Sequence, residues 1–147
     1  MKKFWIILVF LTVSCGFKPI YLSNEQLILE FNKIVTTGNE KINRQIIDNI
    51  GLKNNLSSDL VLTLQTFYKI EETSKNTKGQ TETYRSIINS QLVIMKDKKI
   101  IKDKNFLNEF SYNNKENKFE LTKYQNEIKK NLIKELSEEV ILFLKLL

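Results

Sequence analysis

Histidine is absent from this 147-residue chain, and cysteine and proline occur once each. Without histidine there is no Ser-His-Asp or Cys-His apparatus and no histidine metal site, and a lone cysteine builds neither a disulfide framework nor a multi-cysteine zinc or iron-sulfur centre. Glycine is sparse as well. Gly16, Gly38, Gly51 and Gly79 stand too far apart to write G-x-G-x-x-G or G-x-x-x-x-G-K, which excludes nucleotide binding by those loops. Arginine is nearly missing: of 23 basic residues only Arg44 and Arg85 are not lysine. The lysines are interleaved with Asp and Glu, and the bidentate reader of phosphates and bases is scarce, so the net charge of +6 does not read as nucleic-acid binding. Together these absences point away from an enzyme, a metal site or a bound cofactor.

What is present is a composition of 41% hydrophobic and 27% charged residues, enough for one domain with a core. Lys2 and Lys3 precede an apolar run over residues 4–11, followed by Thr12, Val13, Ser14 and Cys15, the charged, apolar and small-residue order of a secretory signal. The stretch from Phe4 to Val13 is ten residues, about half the roughly 20 needed to span a bilayer, so a cleaved signal is expected over residues 1–14. The lone cysteine sits at its end between Ser14 and Gly16, which resembles a bacterial lipobox, with Thr12 standing where leucine is usual. Cys15 is therefore the expected lipidation site, carrying a covalent lipid with palmitate-type acyl chains that hold the protein on a membrane. A cleaved soluble protein with a stray thiol is the plainer alternative.

Residues 15–25, with Pro19 flanked by Phe17, Ile20 and Tyr21, read as an extended lead, and residues 26–147 as a single domain. Residues 26–34 have strand character, with Leu27, Leu29 and Phe31 on one side, and residues 36–39 read as a turn. Asn39 is placed to cap a helix on Ile42, Ile46 and Ile50, which Gly51 ends. Residues 59–72 alternate Leu60, Leu62, Leu64, Tyr68 and Ile70 against Thr63, Gln65 and Lys69, and residues 81–95 alternate Tyr84, Ile88, Leu92 and Ile94 against Arg85, Asn89 and Gln91. The polar stretch 74–80 joins them as a hairpin tip. A turn at Asp97, Lys98 and Lys99 leads to a more polar strand over residues 100–112. After an asparagine- and lysine-rich loop, apolar residues from Leu121 to Leu147 recur at steps of three and four, a helix of about seven turns. Its apolar end, residues 140–147, is either wedged in the core or packed on a partner.

The order β-α-β-β-β-α predicts an α/β (α+β) two-layer sandwich, with two helices on one face of a four-stranded, mostly antiparallel or mixed sheet. The other face presents Thr63, Gln65, Arg85, Asn89 and Gln91, which suits water and equally suits a wet contact with another protein.

The run Cys15-Gly16-Phe17-Lys18-Pro19-Ile20-Tyr21 after a lipoprotein signal, a strand and capped helix, then Gly79-Gln80-Thr81-x-x-Tyr84 opening a strand and Leu132-Ile133-Lys134-Glu135-Leu136 in the last helix, resembles the LPS-assembly lipoprotein family, LptE. The resemblance covers essentially the whole chain from Cys15 and implies a two-helix, four-stranded sandwich. It implies a non-enzymatic role: an outer-membrane lipoprotein that plugs and helps assemble the LptD β-barrel and assists lipopolysaccharide insertion into the outer leaflet. Gly16 after the acylated cysteine fits sorting to the outer membrane. The neutral polar sheet face, Thr63, Gln65, Arg85, Asn89 and Gln91, becomes the candidate barrel contact, since large outer-membrane barrels are polar inside. Basic residues at one end of the sandwich meet the anionic lipid in that family, which makes Lys75, Lys78, Lys115, Lys118 and Lys123 candidate lipopolysaccharide contacts; solvated loop charge is the bland alternative. Phe17, Ile20 and Tyr21 either pack under the domain's own helices or line the barrel contact.

Two other classes stand beside this one. A periplasmic, lipid-anchored binding or scaffold lipoprotein of another envelope machine would favour a deep apolar pocket. A hydrolase would rest on the acidic pairs Glu71 with Glu72 and Glu138 with Glu139, which read more simply as solvated charge.

Overall fold

The computed structural model describes residues 30–146, so the expected signal, Cys15 and the lead with Phe17, Ile20 and Tyr21 lie outside the described residues. Four strands and two helices follow in the order expected. β1 (Lys33–Gly38) leads to α1 (Glu40–Ile50); β2 (Leu60–Lys75), β3 (Thr81–Lys96) and β4 (Lys99–Asn113) then run consecutively, and α2 (Lys118–Lys145) closes the fold. The sheet is mixed, in spatial order β1-β2-β3-β4, with β1 parallel to β2 and the other pairs antiparallel.

The first strand lies later than its pattern predicts. Residues 36 and 37, read as turn, pair with Leu64 and Gln65, while Phe31 makes only an isolated bridge to Asn54. Leu27 and Leu29 are outside the described residues. The physical reason is local: Ile34, Val35, Thr36 and Thr37 are four successive β-branched residues, whose stiff side chains suit a pleated strand better than a turn. Only Gly38, at φ +83°, turns the chain. Asn39 then accepts the Ile42 N–H at 3.2 Å as helix cap, and Gly51 ends α1 in the left-handed conformation.

The β3–β4 hairpin turns on two residues, Asp97 and Lys98, both at positive φ, so that Lys96 pairs directly with Lys99. At the β2–β3 tip the Asn76 side chain accepts the N–H groups of Lys78 and Gln80 at 2.9 and 3.0 Å.

Both helices pack on one sheet face. Ile42, Ile46, Leu62, Leu64, Ile88, Leu92, Ile94, Leu132, Leu136, Val140 and Leu144 form the buried centre with Phe31. Three positions of the β2–β3 hairpin, Thr66, Ser86 and Ser90, break the apolar alternation and are nonetheless fully buried. Thr66 and Ser90 bond to each other at 2.9 Å, and Ser86 bonds the hydroxyls of Tyr68 and Tyr112 at 3.2 and 3.3 Å, so each hydroxyl enters the core with a partner. Ile70, expected on the core face, is 40% exposed, because β1 pairs with β2 only as far as Thr66 and leaves the upper part of β2 as an edge. The helix end divides: Val140 and Leu144 are fully buried, while Leu142 is 52% exposed. Among the described residues no helix is long and apolar enough to cross a membrane.

Candidate functional site

Register partners on neighbouring strands share a face, which fixes what the helix-free side of the sheet presents. Successive rows read Thr63, Val93 and Asp103; Gln65, Gln91 and Asn105; Phe67, Asn89 and Leu107; Lys69, Ile87 and Glu109; and Glu71, Arg85 and Ser111. β1 adds Val35 beside Thr63 and Thr37 beside Gln65. All five residues expected as barrel contacts, Thr63, Gln65, Arg85, Asn89 and Gln91, therefore stand on one surface, and no described element covers it.

That surface is less uniformly polar than the sequence pattern suggests. Phe67 and Leu107 are 56% and 61% exposed and flank Asn89 in the same row, with Ile87 in the next. Polar groups surround this apolar spot. Gln91 donates to both carboxylate oxygens of Asp103 at 3.0 and 3.1 Å, and Arg85 bonds Ser111 at 3.3 Å and lies 3.5 Å from Glu109. Phe67 lies between Gln65 and Lys69 on this face, an aromatic in an otherwise polar alternation. An exposed aromatic ringed by polar side chains and ion pairs has the composition of an interface centre with a polar rim.

The five candidate lysines do not form one cluster. A groove of about 800 Å³ opens between the hairpin tip, the end of β4 and the start of α2, lined by Asn76, Gln80, Glu82, Asn113, Asn114, Lys115, Glu116 and Lys118 among others. Asn114 fixes it, donating its backbone N–H to the Glu82 carbonyl and its side-chain amide to the Thr81 carbonyl, at 2.7 Å each. Lys115 and Lys118 line this groove, opposed by Glu82 and Glu116. Lys115 also sits 4.5 Å over the Tyr124 ring. Lys75 is held 3.4 Å from Glu72, and Lys78 stands at the exposed tip; neither lines the groove, and nor does Lys123.

The acidic pairs are occupied on the surface. Glu71 meets Lys69 at 2.5 Å, Glu72 meets Lys75, Glu138 lies 3.9 Å from Lys134, and Glu139 accepts from Asn108 at 2.7 Å. Among the described residues no group of three or more Cys, Asp or Glu is arranged to hold a metal ion. Burial pushes the Tyr68 hydroxyl above its ordinary range, with the Ser86 bond working against that. Lys129, 4.7 Å over the Tyr68 ring, is lowered by burial and by the nearby Lys41 charge. Tyr68 packs against the core beside α2.

No family model matches the chain, and no curated protein matches it in sequence. Solved structures do match in fold. The crystal structure of rare lipoprotein B from Shewanella oneidensis superposes with a TM-score of 0.60 at 11% identity, over 78% of this chain and 94% of that one. A minor lipoprotein from Acinetobacter baumannii gives 0.53 at 12% identity over 76% and 88%, and an uncharacterized lipoprotein B from Nitrosomonas europaea gives 0.54 at 8% over 82% and 86%. At such identities the shared property is architecture: the α+β sandwich described above is the fold of these lipoprotein structures.

Proposed function

We propose that this chain is a lipid-anchored envelope lipoprotein of the outer membrane, which plugs and helps assemble an LptD-like β-barrel and assists the insertion of lipopolysaccharide. The observation that carries this reading is the sandwich itself: its fold is that of structures described as lipoproteins, and here it follows a segment with the charged and apolar pattern of a signal over residues 1–14, with Cys15 next. The uncovered sheet face supports the barrel contact. Thr63, Gln65, Asn89 and Gln91 offer neutral amides and hydroxyls to a polar lumen wall, and Phe67 and Leu107 give the contact an apolar centre. Lys115 and Lys118, in an amide-rich groove at the far end, are the lysines best placed for an anionic headgroup.

The groove beside Lys115 and Lys118 is open and polar rather than an enclosed apolar chamber, and so gives the periplasmic ligand-binding alternative no specific support. The decisive experiment is affinity purification of the tagged protein from detergent-solubilised outer membranes with mass spectrometry of its companions. A stoichiometric large β-barrel is expected. Recovery of the lipoprotein alone, or with a different envelope machine, overturns the plug and leaves an anchored scaffold.

A further inference from the structure

A sheet edge is a row of unpaired backbone donors and acceptors, and proteins blunt such edges with charge, bulges or brevity. This sheet does so almost everywhere. β1 is only six residues long. The upper edge of β2, beyond Thr66, carries Lys69, Glu71, Glu72 and Lys75 and is broken by register shifts between Glu72 and Lys75. β4 begins with Lys99, Lys102 and Lys104 beside a register shift at Ile94 and Met95. Residues 105–113 of β4 are the exception. They are in regular register with β3, carry one charge, Glu109, and have no partner on their outer side among the described residues.

Along this stretch Leu107 is 61% exposed on the helix-free face and Phe110 is 47% exposed on the other. Below Phe110 a cavity of about 160 Å³ opens between the strand and α2, lined by Tyr124, Ile128, Leu132, Asn131, Glu127 and Glu135. No β3 residue lines it, so it lies beyond the sheet edge, where an added strand would place a side chain. The Asn108 side chain donates to Glu139, and its own carbonyl oxygen has no donor.

We propose that residues 105–113 of β4 form a strand-addition site for an extended polypeptide segment of another protein. Backbone pairing to the β4 edge supplies the affinity, and the socket under Phe110 takes one apolar side chain. Charge selects the partner: in a chain of net charge +6, the socket is rimmed by Glu127 and Glu135 and by no lysine. These carboxylates are eight residues apart on a helix, about 12 Å. Two side chains on the same face of a strand, four residues apart, are separated by about 13 Å. The fitting segment therefore carries an apolar residue with Lys or Arg two positions to either side. This inference goes beyond the plug reading: it rests on the backbone edge of β4 and the socket on the helix side of the sheet, shares with the barrel-contact face only side chains of that strand, the exposed Leu107 among them, and asks nothing of Cys15.

The test uses the full chain purified in detergent micelles and a blocked heptapeptide, Thr-Lys-Val-Leu-Val-Lys-Thr, followed by calorimetry and by amide hydrogen exchange. Saturable binding is expected, with exchange slowed at residues 105–113. The surface double variant Glu127→Lys with Glu135→Lys should weaken binding by about tenfold or more, and a peptide N-methylated at alternate amides should not bind. Absence of binding overturns the proposal, as does binding indifferent to N-methylation. So does an edge already protected without peptide, which would assign it to a second copy or to this chain's own residues.

Discussion

Gly38 is the residue at which local geometry and packing meet. Its φ is +83°, and a Cβ there would stand 2.4 Å from the Thr66 carbonyl oxygen. That oxygen accepts the Asn39 N–H at 2.7 Å, so it cannot withdraw without loosening the joint between β1 and α1. Gly51 offers the contrast, since at φ +74° it has nothing within 4 Å of a built Cβ. Gly51→Ala is therefore expected to cost about 1 kcal/mol, the strain of the left-handed conformation alone, and Gly38→Ala about 2–4 kcal/mol, as read by urea unfolding. Equal losses would mean the close approach to Thr66 relaxes freely. The sequence marks Gly51 as a helix stop because everything needed is within one turn of it. It marks Gly38 only as a turn residue, because the crowding comes from a strand far along the chain. The buried hydroxyls are hidden in the same way: Thr66, Ser86 and Ser90 look like gaps in an apolar alternation until the partner strand supplies each with a hydrogen bond.

Elements were legible where one physical signal dominated. The alternation over β2 and β3 predicts both strands and their antiparallel pairing within a few residues, since one face meets the helices and the other meets solvent. β1 was displaced because two signals competed there: Leu27, Leu29 and Phe31 alternate, while the β-branched run at residues 34–37 is what enters the sheet. In α2 the three-and-four spacing runs to the end of the chain without revealing which apolar residues face inward. The structure separates them. Leu144 is fully buried and Leu142 is 52% exposed, so Leu144→Ala should cost about 2–5 kcal/mol, and Leu142→Ala should stay within about 0.5 kcal/mol. Thermal and denaturant unfolding of the two variants decide this. A comparable loss at Leu142 would mean that the helix end packs against part of the chain outside residues 30–146. Leu62→Asp and Leu132→Asp, which force a charge into the buried centre, should prevent folding outright.

At the scale of the molecule, the candidate site was legible as a surface but not as a cluster. Alternation alone brings Thr63, Gln65, Arg85, Asn89 and Gln91 to one face, because strand periodicity fixes sidedness. The lysines sit in loops, whose approach to one another depends on how high each hairpin rises, and the five separate accordingly. This separation makes the lipopolysaccharide part of the proposal testable by position. Lys115 and Lys118 line the groove at the start of α2, whereas Lys75 is held 3.4 Å from Glu72 and Lys78 projects from the tip. Reversal of Lys115 and Lys118 to glutamate should weaken lipopolysaccharide binding by the full chain severalfold at low salt, more than reversal of Lys75 and Lys78 does. The difference should shrink as ionic strength rises, since exposed charges are screened over about 8 Å at physiological salt. Equal losses from both pairs would spread the contact over the whole upper end and remove the groove as its centre. Unchanged binding in both, with the fold intact, would return these lysines to solvated loop charge and leave barrel assembly as the function still to be tested.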